Sequence, residues 1–426
     1  MLWRTVLRSS SASWLAPLLA AFVALLLSDD LTNEVTVGYW PSALGSASFA
    51  LPFIAPACAA SGAWEGSRLT RGRVTHWAPT RSGLGIALPL LLPVLVLGMV
   101  GMGVASALTI SQSHPNVGAP PLGMVAVWLV VLSAHSMAGF LLGTRLPLVV
   151  AAPLALILSF FLTAYPAALE PLWLRHMVTG GMPSCCSLDQ TPNWRAAASA
   201  LVLALGVVGA AVLALTGLHR RTRVLSLSAL LVIGLAGSGT LAYGLPADPV
   251  NARSTDQLQC SGHTPRVCVW PELSRDATMI RENASDARHR LQQAGLTVPP
   301  TLTMQEHPGQ DALFIGVWPA PSAADVRSGV ATGILPSGPP SCARSGPFPG
   351  AEAYGPSTAW LSLTAGTGRQ EVAGRYGPQD SAVAERVKRL SPAKQLAWFR
   401  HNLNALRDCT TGPAPVPSSR TVEAAR

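Results

Sequence analysis

Charge is what this 426-residue chain lacks most: Asp, Glu, Lys and Arg make up 12% of it, about half the share usual in soluble domains. Lysine is nearly absent. Lys388 and Lys394 are the sole two, and neither follows the glycine-rich spacing of a P-loop, whose lysine meets nucleotide phosphates. The chain by itself is therefore not expected to bind ATP in that manner. None of its nine histidines falls in an H-E-x-x-H, and no G-x-S-x-G occurs. No spacing selects a catalytic or metal centre, so the expectation is a non-enzyme without cofactor.

What replaces charge is apolar length. Seven windows carry no Asp, Glu, Lys or Arg: approximately Ala12–Ser28, Ala43–Gly62, Leu84–Ile110, Leu122–Gly143, Pro147–Tyr165, Ala196–Leu218 and Val224–Leu245. A helix needs roughly 20 apolar residues to cross a hydrocarbon core of about 30 Å. One ionic residue at mid-span costs about 2.5–3.5 kcal/mol on the insertion scale. The expected fold class is a polytopic α-helical membrane protein of about seven transmembrane helices, residues 12–245, followed by a small α+β domain over 246–410. Arg4 and Arg8 precede the first window as in a signal peptide, but "LLLSDD" matches a cleavage site poorly, and an uncleaved anchor is expected.

Basic residues fix the expected orientation. With the N-terminus inside, the inner segments hold Arg4, Arg8, Arg68, Arg71, Arg73, Arg81, Arg145, Arg220, Arg221 and Arg223, against Arg175 and Arg195 in the outer short loops. Seven crossings then leave the C-terminal domain outside the cytoplasm, at the plasma membrane. The net charge of +9 is explained by this partition rather than by a nucleic-acid partner. Six of seven cysteines (Cys185, Cys186, Cys260, Cys268, Cys342, Cys409) fall on the outer side, where disulfides form. Cys260 with Cys268 and Cys342 with Cys409 are the preferred pairs, although sequence leaves connectivity open. Cys185 and Cys186 pair with each other or with other cysteines. With His176 they supply too few ligands for a closed zinc site.

Residues 1–11 read as an amphipathic segment on the inner membrane surface. The spans are rich in small residues ("GMVGMGVASA", "GFLLG", "GLAGSG"), which lets backbones approach closely in lipid. His135 is the one ionisable side chain inside a span other than Cys58. It is either a polar functional site or a neutral histidine bonded to a neighbouring helix. Beyond Pro246, "RVCVWPEL" and "ALFIGVWPA" look like strands. Ile280, Ala284, Ala287, Leu291 and Ala294 line one face of a helix over Asp276–Ala294 that Gly295 is placed to end. A last helix starts at Ser391–Pro392, with Leu396, Phe399, Leu403 and Leu406 expected on its buried face. Residues 411–426 read as a disordered tail.

The one dense cluster of charge is "AWEGSRLTRGRVTHWAPTRS", residues 63–82. Glu65 and Arg68 can pair at i,i+3, and a short helix bearing Trp64, Glu65 and Arg68 would suit docking of a soluble partner. Together with the preceding "PFIAPACAASGA", this stretch resembles the intracellular coupling loop of ABC transporter type-2 permeases. The likeness covers roughly residues 1–222. The whole arrangement looks like a group of actinobacterial permease-like membrane proteins that carry an extracytoplasmic C-terminal domain. The resemblance implies a permease subunit that seats on a separate ABC ATPase through Trp64, Glu65, Arg68, Arg71, Arg73 and Arg81. It also implies a homodimer, or a paired permease, in membrane lipid. The alternatives are a membrane-anchored extracytoplasmic binding or sensory module without transport activity, and an outer-face hydrolase.

Overall fold

The computed structural model describes residues 8–33, 35–72, 82–216 and 219–416. Most of the N-terminal amphipathic segment, Arg73, Arg81 and residues 417–426 of the tail lie outside the described residues. The chain divides into two compact units, Met1–Arg253 and Ser254–Arg426.

Among the described residues of the first unit, six helices are long and apolar enough to cross a membrane: α2 (Trp40–Arg71), α3 (Gly83–Ser113), α4 (Leu122–Gly143), α5 (Leu148–Ala168), α6 (Trp194–Ala214) and α7 (Arg220–Ala242). The first apolar window forms a shorter helix, α1 (Ser11–Leu26), of 16 residues. Its length of about 24 Å falls short of the hydrocarbon thickness. Leu27, still in the right-handed region, connects α1 to a five-residue helical turn, Ser28–Thr32.

The tightest packing is between α2 and α4. Gly62 and Gly66 lie against the Ser136 and Phe140 carbonyls, while Gly139 and Gly143 lie against those of Ala59 and Ala63. A Cβ on any of the four would collide with backbone, so two glycine pairs spaced i,i+4 let the two main chains touch. Polar side chains inside the bundle find partners there. Trp128 Nε1 donates to Ser48 Oγ at 2.9 Å, and Ser199 Oγ on α6 lies 2.9 Å from Ser238 Oγ on α7. His135 Nδ1 stands 2.8 Å from Ser159 Oγ on α5, so this histidine is bonded to a neighbouring helix.

In the second unit a four-stranded sheet runs in the order β3 (Gln259–Ser261), β4 (Arg266–Val269), β5 (Thr301–Thr303), β6 (Ala312–Phe314), with β3–β4 antiparallel and the other two pairings parallel. Helix α8 (Ala277–Gln293) buries Ile280, Ala284, Ala287 and Leu291 as its spacing predicts, and Gly295, at φ +83°, follows its end. Four further helices complete the unit: α9 (Ala323–Thr332), α10 (Tyr354–Thr364), α11 (Arg369–Lys388) and α12 (Pro392–Ala405). Phe399 and Leu406 are buried as expected, but the rest of the buried face of α12 departs from expectation. Trp398, Phe399, Asn402 and Ala405 face inward, while Leu396 and Leu403 are half-buried. The cause is Trp360 on α10, which stacks on Phe399 at 5.1 Å and meets Trp398 edge-on at 6.4 Å. Burying two large aromatic rings outweighs burying two leucines.

Disulfides join Cys260 to Cys268, directly opposite each other on β3 and β4, and Cys342 to Cys409. Cys185 is joined to Cys186, and Cys58 is a free, buried thiol.

Candidate coupling surface at the arginine-rich end of the bundle

The helix ends of the first unit gather into two groups. At one end Ser67 Oγ on α2 donates to the Gly143 carbonyl of α4 at 3.0 Å, and Leu69, Ala87, Phe140 and Leu215 form a shared apolar cluster. This end carries Arg8, Arg68, Arg71, Arg145, Arg220, Arg221 and Arg223. At the other end Ser113 Oγ donates to the Thr36 carbonyl at 2.9 Å and Thr36 Oγ1 to that of Cys186 at 3.1 Å. Exposed aromatic residues mark both: Trp14 and Trp64 at the first end, Tyr165, Trp194 and Tyr243 at the second. Tryptophan and tyrosine favour the headgroup level, where an apolar ring and a polar tip are both satisfied.

The segment expected to begin a loop at Ala63 is helical to Arg71, continuous with the preceding span. Glu65 and Arg68 pair at 3.0 Å, as the i,i+3 spacing predicts. Glu65, however, faces inward and is 1% exposed. Its Oε1 accepts from the Ser11 amide (2.9 Å), Ser11 Oγ (3.1 Å) and Ser10 Oγ (3.2 Å). Arg68 donates on to the Ser9 carbonyl. The first amides of a helix have no intrahelical acceptors and carry partial positive charge, so a carboxylate there satisfies both sides. Burial of an ion is tolerated because four donors surround it.

Two of the expected docking residues therefore differ in role. Glu65 closes the start of α1, while Trp64, 42% exposed, and Arg68, 37% exposed, reach the surface beside exposed Arg71. Ser10, Ser11 and Ser61, whose hydroxyl is 2.8 Å from that of Ser11, complete the network. The run "SSSASW" before an apolar stretch was the available signal for them, since serine is a preferred N-cap.

At the opposite end, strand β1 (Gln190–Pro192) pairs antiparallel with β2 (Val250–Ala252), so the chain stays with the first unit past Pro246, through Arg253. Arg253 is gripped there. Its guanidinium lies 4.9 Å from the Tyr39 ring centre and donates to the Leu188 carbonyl at 3.0 Å. Tyr39 in turn donates to the Gln190 carbonyl at 2.6 Å. His176, fully buried, bonds the Pro246 carbonyl through Nε2 at 2.7 Å. A carbonyl only accepts, so Nε2 carries the proton and Nδ1 is bare, with no hydrogen-bond partner. Burial holds this imidazole below its ordinary pKa, and Arg175 adds to the effect. Among the described residues no group of three or more His, Cys, Asp or Glu side chains could hold a metal ion.

Comparison with known proteins adds one match. A family model described as a domain of unknown function, DUF7224, matches residues 267–409, about one third of the chain and wholly within the second unit. No curated protein and no solved structure matches the chain.

Proposed function

We propose that the chain is an ABC-exporter-type permease-like subunit of the plasma membrane that lacks its own nucleotide-binding domain and seats on a separate ATPase. The observation that carries this reading is the arginine-rich end of α2. There Trp64, Arg68 and Arg71 are presented outward from a helix whose inner side is tied to α1 through Glu65. A partner with an acidic, apolar-edged groove fits such a surface.

The topology that goes with this reading has α1 together with the turn that extends it, Ser28–Thr32, as the first of seven crossings, the N-terminus cytoplasmic and residues 254–416 extracytoplasmic. The partition of arginines between the two groups of helix ends supports it, as do disulfides in the second unit. On this reading two permease subunits pair in the bilayer. The outward apolar residues of α7, among them Leu225, Val232 and Ile233, lie on a face that lipid or a second subunit would cover.

The test is co-purification of the full-length protein from its native membrane. An ATPase subunit should accompany the wild-type chain, and Arg68→Glu with Arg71→Glu should lower its recovery about tenfold. Undiminished recovery with both charges reversed would refute the docking surface. A second reading, an anchored extracytoplasmic binding module, is favoured by the confinement of the family match to the second unit. It requires that no ATPase accompany the chain at all.

A further inference from the structure

The second unit contains an open cavity of about 430 Å³. Pro336, Pro339, Phe348, Tyr354 and the buried Leu406, just beyond the end of α12, are among its lining residues. Ser337, Gly338 and Ala351 complete the lining, so no charged side chain faces the cavity. Pockets for small molecules typically enclose ~300–1,000 Å³ between mostly apolar walls.

The walls come from three separate stretches of chain and are fastened to one another. The Cys342–Cys409 disulfide ties the segment following Pro336–Pro339 to the one following Leu406. Gly350 sits so close to the Ala405 carbonyl that a Cβ would strike it, which fixes the Phe348–Tyr354 segment onto α12. A cavity held open by covalent and backbone contacts needs little ordering when a ligand enters. With no charge in its lining, the cavity offers an ion no counter-charge to offset loss of water, which favours a neutral ligand. Two proline rings and two aromatic side chains among the lining residues offer apolar contact to another ring.

We propose that this cavity is a preformed binding site for a neutral, ring-bearing apolar small molecule. The site is independent of the surface at Arg68 and Arg71 and of any ATPase.

A hydrophobic photolabel, 3-(trifluoromethyl)-3-phenyldiazirine, tests this on the full-length protein in detergent. After irradiation, the peptides containing Pro336–Pro339 and Phe348–Tyr354 should carry label that saturates with concentration. Label on the apolar helices of the first unit should rise in proportion to concentration and serves as the internal reference. Gly338 is the position at which to fill the cavity. An added Cβ meets no atom within 4 Å, and its φ lies outside the left-handed region, so Gly338→Phe adds a ring without a backbone clash. The variant should lose about tenfold or more of the saturable label, with the Cys342–Cys409 bond intact by mass spectrometry under non-reducing conditions. Absence of label from those peptides, label that fails to saturate, or undiminished label in Gly338→Phe with that bond intact would each overturn the proposal.

Discussion

The carboxylate of Glu65 accepts the backbone amide of Ser11 at 2.9 Å, joining positions 54 residues apart and sealing the start of one helix with the end of another. Glu65→Ala would leave the Ser11 amide, two serine hydroxyls and Arg68 without this acceptor. Each buried donor left unpaired costs about 1–3 kcal/mol. The expected result is a clear fall in the thermal unfolding midpoint of the detergent-solubilised protein. Arg68→Ala leaves three of the four donors on that carboxylate and should lower the midpoint less. Equal effects of the two substitutions would show that Glu65 does not hold the network together.

The α2–α4 crossing makes a steric prediction. Gly139→Leu and Gly143→Leu each drive a side chain into backbone of the facing helix, and both should abolish recovery of a monodisperse protein by size-exclusion chromatography. Gly103→Leu on α3, where an added Cβ meets nothing within 4 Å, should be recovered like the wild type.

His176 predicts the sign of a pH effect. Its folded pKa lies below the ordinary value of about 6.5, so on acidification the unfolded chain takes up a proton that the folded chain resists. Stability from this group is present above about pH 6.5 and is lost as pH falls below it. Burial causes the shift, the hydrogen bond to the Pro246 carbonyl and Asp248 oppose it, and Arg175 reinforces it. Unfolding midpoints compared between about pH 7.5 and 5.5 should drop in the wild type and drop less in His176→Gln. An identical slope in both would remove His176 from the account.

The two disulfides of the second unit should differ in worth. Cys342 and Cys409 close a loop of 67 residues, against 8 for Cys260 and Cys268. Chain-entropy estimates give about 4 kcal/mol for the larger loop and about 2.5 kcal/mol for the smaller. Cys342→Ser with Cys409→Ser should therefore lower the chemical unfolding midpoint of this unit more than the other double substitution does.

Much of this architecture was legible because membrane helices announce themselves by the absence of charge, a signal that needs no knowledge of neighbours. The α8 face, with Ile280, Ala284, Ala287 and Leu291, was legible for a similar reason: its period is local. The α12 face was legible at Phe399 but not at Trp398, because Trp360 lies in another helix and its edge-on contact with Trp398 is a tertiary effect. Strand β5, three residues long, is too short to show alternation. At the arginine-rich end of α2 the Glu65–Arg68 spacing could be read directly, but the inward turn of Glu65 depended on where Ser10 and Ser11 fold back. Arg253 gave no signal of its own, since its grip requires Tyr39 and Leu188 to come together across the chain.

Helix α2 runs 32 residues, about 48 Å, from Trp40 to Arg71. Near its start Gly45 abuts the Cys185 carbonyl, and along its second half bare backbone rests on α4. At the four glycines no side chain stands between the two helices, so they cannot slide past each other without breaking backbone contact. The pair is in effect a single strut. Four missing Cβ atoms thus set the separation of these two helices, and no rotamer change at those positions can alter it.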